Sequence, residues 1–67
     1  MLARGNRGDV VIALQNMLRH VGFDAVIDGK FEQRTEDAVI EFQGDQNLEP
    51  NGQVGSATWA ALDEATQ

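Results

Sequence analysis

The chain contains no cysteine, one histidine and one serine. Without cysteine there is no disulfide staple and no thiolate metal site, so the fold must rest on an apolar core alone. A single histidine, His20, excludes a multi-histidine metal centre and any Cys–His pair. Ser56 has no histidine and acid spaced around it as a nucleophile requires. Cations are missing from the second half. Residues 1–34 hold all five (Arg4, Arg7, Arg19, Lys30, Arg34) against four acids, while residues 35–67 hold seven acids and none. A chain of net charge −6 lacks the clustered Lys and Arg that phosphate contacts need, which argues against nucleic acid and anionic membranes as partners. No apolar run approaches the roughly 20 residues of a transmembrane helix. The opening MLARGNRGD carries no hydrophobic leader, which fits a module of a longer exported chain. Paired-carboxylate catalysis needs one acid in an apolar pocket. The acids here fall on polar faces or in turns, so the chain is not expected to be an enzyme, and no metal is expected.

What remains suits a small all-α fold. The 67 residues are 42% hydrophobic, enough for one domain over 1–67 of modest stability. Val11, Leu14, Leu18 and Val21 recur at helical spacing and predict a helix over Asp9–Val21, with Gly8 as N-cap and Gly22 as stop. A second helix is expected over Gln33–Asp45, with Thr35, Ala38, Val39 and Phe42 inward and Ile40 outward. A third is expected over Ser56–Ala65, with Thr58, Ala61, Leu62 and Ala65 inward. Ala25-Val26-Ile27 reads as a short extended piece.

Between the helices lies an internal repeat. A shift of 23 residues superposes DGKFEQRTEDAV (28–39) on NGQVGSATWAAL (51–62). Asp28 falls on Asn51, Gly29 on Gly52, Phe31 on Val54, Thr35 on Thr58, Ala38 on Ala61 and Val39 on Leu62. Each copy opens with an Asx-Gly turn, in which Gly supplies the positive φ. An apolar residue then packs under the new helix, and the Thr is placed to bond the loop backbone at the helix start.

The ordered set of positions resembles the peptidoglycan-binding repeat of bacterial cell-wall hydrolases. That pattern runs L-x-x-G-x-x-G-x-x-V-x-x-L-Q-x-x-L, then G, then D-G-x-F-G-x-x-T-x-x-A-V-x-x-F-Q, and closes with G-L-x-x-D-G-x-V-G-x-x-T-W-x-x-L. Leu2, Gly5, Gly8, Val11, Leu14, Gln15 and Leu18 fill the first stretch, followed by Gly22. Asp28, Gly29, Phe31, Thr35, Ala38, Val39, Phe42 and Gln43 fill the second. Leu48, Gly52, Val54, Gly55, Thr58, Trp59 and Leu62 fill the third. Glu32, Asn47 and Asn51 depart from it, standing where the family has Gly, Gly and Asp. The resemblance implies a compact three-helix bundle with two Gly-containing turn loops. It also implies a non-catalytic module, without cofactor, that holds an attached hydrolase on the wall outside the cytoplasm. The same fold occurs in matrix metalloprotease pro-regions, but those carry a cysteine that this chain lacks.

Six residues are candidates for contact with peptidoglycan or its muropeptide fragments: Gln15, Arg19, Asp28, Gly29, Gln43 and Trp59. At about 100° per residue, Ile12, Gln15 and Arg19 share one shoulder of the first helix. Gln15 and Gln43 have two roles open, as ligand contacts or as clamps on the neighbouring turns. Asp28 is also the simplest turn former. Trp59 either stacks on a sugar face or lids the core. Binding by a monomer through so shallow a site is expected to be weak, in the micromolar-to-millimolar range. The alternative is a spacer or protein-interaction domain that keeps the fold without sugar binding.

Overall fold

The computed structural model describes all residues from Met1 to Gln67. Its elements are α1 (Asp9–His20), α2 (Gln33–Asp45) and α3 (Ser56–Ala65). The apolar stripe of α1 drives the packing. Val11, Leu14 and Leu18 are fully buried and meet Ala38, Val39 and Phe42 of α2 and Leu62 of α3, with Ala25, Phe31 and Val54 closing the core from the loops. Phe23, just past α1, packs edge-on against Phe42 with ring centroids 5.7 Å apart, a favoured aromatic geometry. No helix is long and apolar enough to cross a membrane.

The two helix ends that lead into the turns share one design. Val21 caps α1 instead of extending it, one residue short of the expected boundary. The Phe23 N–H bonds the Leu18 carbonyl at 2.9 Å and the Gly22 N–H bonds the Arg19 carbonyl at 3.1 Å, a Schellman closure. At the end of α2 the Leu48 N–H bonds the Gln43 carbonyl at 2.8 Å and the Asn47 N–H bonds Gly44 at 3.2 Å. Asn47 takes φ 60, the left-handed conformation that Asn tolerates best after Gly. Glu32 is the N-cap of α2 with φ −120, ordinary extended backbone. The backbone there does not require glycine.

The structure departs from the periodicity in several places. Ala65 is exposed and Ala61 only half-buried, because the last turn of α3 runs past the core. Ile40 is half-buried; its Cγ1 lies 3.4 Å from where a Cβ on Gly52 would stand, so it packs on the second turn. The extended pairing falls elsewhere than Ala25–Ile27. Leu2 and Val54 exchange both backbone bonds, at 3.1 and 2.7 Å, and Arg7 lies antiparallel to Lys30. Further bonds of 2.9 Å run from the Gly5 N–H to the Phe31 carbonyl and from the Gly8 N–H to the Gly29 carbonyl. The N-terminal segment thus ties both turn loops to the start of α1.

Candidate functional site

Each turn is built around a buried glutamine. Gln15 is 0% and Gln43 1% exposed. The Gln15 Oε1 accepts from the N–H of Asp28 (3.0 Å) and of Gly29 (2.9 Å), and its Nε2 donates to Lys30 O (2.9 Å), Thr35 Oγ1 (3.0 Å) and Asp28 Oδ1 (3.1 Å). Gln43 does the same one repeat later. Its Oε1 accepts from the Gly52 N–H (2.9 Å), and its Nε2 donates to Gln53 O (2.8 Å), Thr58 Oγ1 (3.1 Å) and Asn51 Oδ1 (3.3 Å). Burial of an amide is tolerated only when its polar atoms are partnered, and here the fold supplies every partner. Of the two roles open to Gln15 and Gln43, the structure realises the clamp. Thr35 and Thr58 bond these amides and not the loop backbone. Gly29 and Gly52 are themselves buried, at φ +78 and +77. A Cβ on Gly29 would stand 3.2 Å from Ile12 Cγ1 and one on Gly52 3.0 Å from Glu36 Cγ. Both positions demand glycine on conformation, and a Cβ there would in addition press on the Ile12 and Glu36 side chains.

Asp28 and Asn51 complete the turns as acceptors, taking the Lys30 and Gln53 N–H at 2.9 Å each. The Lys30 N–H first, then the Gln15 amide, holds the Asp28 carboxyl below its ordinary value of 3.8. A carboxyl lowered in the fold contributes stability above its unfolded pKa, and loses it as pH falls through the folded value. Asp28→Asn, which copies Asn51, keeps the acceptor and removes that titration. Urea unfolding followed from about pH 5 down to about pH 2 should therefore show a shallower acid-side decline for Asp28→Asn than for the parent. Parallel declines would mean that the turn carboxylate carries no linkage.

The exposed chemistry lies beside the first turn. The loop from α1 to α2 walls an open groove of about 600 Å³ lined by Arg19, Gly22, Phe23, Asp24, Ala25, Val26, Ile27 and Arg34. Val26 and Ile27 are 37% and 41% exposed, so the groove combines apolar surface with two guanidinium groups in its lining. Arg34 pairs with Asp24 at 2.8 Å, both side chains more than half exposed. Such a pair is worth under about 1 kcal/mol and exchanges readily. Arg19 has no acidic partner.

The structure therefore divides the six candidates. Arg19 lines the groove. Asp28 is exposed on the adjoining turn, while Gln15, Gln43 and Gly29 are interior. Trp59 is half-buried against the core and lines no groove. The shoulder expected of Ile12, Gln15 and Arg19 is not one surface: Ile12 covers Gly29, Gln15 turns inward, and only Arg19 reaches the groove. Arg34, Phe23, Val26 and Ile27 line the same groove but are not among the six candidates. The path of the loop brings Arg34 and Arg19 to one groove, which periodicity does not carry; the adjacent Val26-Ile27 pair in a loop is the available signal.

A family described as "Putative peptidoglycan binding domain" matches residues 7–62. An uncharacterised protein of Kitasatospora aureofaciens is 45% identical over 67 residues; the match takes in 94% of this chain and 55% of that protein. The chain thus spans about half the length of that relative. A peptidoglycan-binding protein from Clostridioides difficile, solved in complex with glutamine hydroxamate, superposes with a TM-score of 0.96 at 38% identity, over 98% of this chain and 42% of that one. A fused Zn-dependent amidase/peptidase/peptidoglycan-binding domain-containing protein from Clostridium acetobutylicum superposes with a TM-score of 0.89 at 31% identity, over 98% and 32%.

Proposed function

Because the chain belongs to the peptidoglycan-binding domain family, we propose that it is a non-catalytic module that binds peptidoglycan and holds an attached hydrolase domain on the wall, outside the cytoplasm. The Clostridium acetobutylicum relative, whose name joins an amidase/peptidase to such a domain, supports the pairing with an enzyme. The observation that carries the site is the groove whose lining combines Arg19 and Arg34 with Phe23, Val26 and Ile27. A stem peptide ends in a carboxylate and carries short aliphatic side chains. One guanidinium meets the carboxylate and the apolar strip meets the methyl groups. The ligand approaches the half of the chain that holds every cation and avoids the seven acids of residues 35–67. Each contact is solvent-exposed and weak, so a monomer gains retention on the wall from tethering to its enzyme.

Titration of the chain with a soluble muropeptide, followed by amide NMR, tests this. Shifts are expected at Arg19, Gly22–Ile27 and Arg34, extending to the Asp28–Lys30 turn. Arg19→Ala should weaken binding roughly two- to fivefold, the worth of an exposed charge contact. Added salt should weaken it gradually. Shifts confined to the acidic faces of α2 and α3 would refute the groove. No shift at millimolar ligand would favour the spacer reading.

A further inference from the structure

The second turn carries a chemical liability that the clamp is placed to control. We propose that Asn51 is a site of spontaneous amide-to-acid conversion, and that Gln43 suppresses the reaction while the fold is closed. Asn51-Gly52 is the one Asn-Gly pair in the chain; Asn6, Asn16 and Asn47 precede Arg7, Met17 and Leu48. Next to glycine no side chain shields the following backbone nitrogen. That nitrogen, once it gives its proton to base, adds to Asn51 Cγ. A new C–N bond forms, the Cγ–Nδ2 bond breaks, and ammonia leaves a five-membered imide. Water then opens the imide at either carbonyl, giving aspartate or its β-linked isomer.

The closed fold withholds both reacting groups. The Gly52 N–H donates to Gln43 Oε1 at 2.9 Å, and both Gly52 and Gln43 are buried. Base therefore does not reach the proton that must leave. The Asn51 Oδ1 is held across the turn by the Gln53 N–H at 2.9 Å and by Gln43 Nε2 at 3.3 Å. Reaction must then pass through local opening, and its rate scales with the population of the open form.

The two products differ in what the fold can hold. Asp28, at the equivalent place in the first turn, shows that aspartate makes the same acceptor contacts with a glutamine clamp and the second-next N–H. Aspartate at 51 therefore keeps the turn, although it exchanges the 3.4 Å bond from Asn51 Nδ2 to Glu49 Oε1 for a like-charge contact. The β-linked isomer lengthens the backbone by one carbon and displaces Gly52 from Gln43. Conversion thus sorts ageing molecules into a folded acidic form and a form with a broken second turn.

Intact-mass and peptide-mapping analysis after incubation in mildly alkaline buffer tests this. In urea the parent should convert at Asn51; in the native state it should convert at least about tenfold more slowly. Gln43→Ala, checked as helical by circular dichroism, should raise the native rate roughly ten- to a hundredfold. Should Gln43→Ala prove unfolded, Thr58→Ala serves in its place. It removes one acceptor of the Gln43 amide and should raise the rate in the same direction. Asn51→Asp should remain folded. Equal native and urea rates in the parent, a folded clamp variant as slow as the parent, or an unfolded Asn51→Asp would each overturn the proposal.

Discussion

Phe42→Ala should destabilise the fold severely, with a thermal midpoint far below that of the parent. Phe42 is 1% exposed in the last turn of α2, and its ring is the partner of Phe23 in the core's one aromatic pair. Truncating a buried Phe costs about 3–5 kcal/mol, because the transfer energy is lost and a cavity is left. A chain of this size commands a total of about 3–10 kcal/mol. The mutation therefore consumes from a third to all of the stability. A thermal melt followed at a helix-sensitive wavelength should show the midpoint lowered by roughly 12–40 °C, or no cooperative transition. A midpoint within a degree or two of the parent would place Phe42 outside the core.

Gln15→Leu is expected to approach that cost although it replaces a polar side chain by an apolar one of similar size in a fully buried position. Hydrophobicity alone would call the change favourable. The hydrogen bonds decide otherwise. Loss of the amide strands the Gly29 N–H and the Thr35 hydroxyl in the interior, and leaves the Asp28 N–H and the Lys30 carbonyl to find water. Each stranded buried group costs about 1–3 kcal/mol, so the sum is roughly 2–6 kcal/mol. Gln43→Leu should cost somewhat less, since its Oε1 accepts one backbone N–H where that of Gln15 accepts two. Urea unfolding of the two variants beside the parent measures both. A stability for Gln15→Leu equal to or above the parent would show that the turns hold without their clamps.

These two residues also mark what the sequence discloses. Phe42 is legible from its place at helical spacing with Val39 and Ala38, and the bounds of α2 and α3 follow from the same periodicity. The turns are legible from the repeat, because Asx-Gly pairs answer to local backbone chemistry. Gln15 is harder. On a wheel it sits 100° from Leu14, at the margin between core and solvent, and only the partners waiting in the turn draw it inward. Those partners are 13 to 20 residues away, beyond any local pattern. The same reason hides the pairing of Leu2 with Val54 and the sharing of one groove by Arg19 and Arg34. Ala65 fails in the opposite sense. Its spacing is helical and apolar, but the core ends at Leu62, and periodicity does not record where the partner helices stop.

Attachment to the wall is the claim on which the functional account rests. Co-sedimentation of the purified chain with insoluble peptidoglycan tests it most directly, with Arg19→Ala alongside and a salt series on both. The account predicts that the parent pellets with the wall in a saturable, salt-weakened manner and that Arg19→Ala pellets less while its helical spectrum is unchanged. A parent that stays wholly in the supernatant at low salt, with wall in excess, would contradict the account and leave the fold as a spacer between other domains.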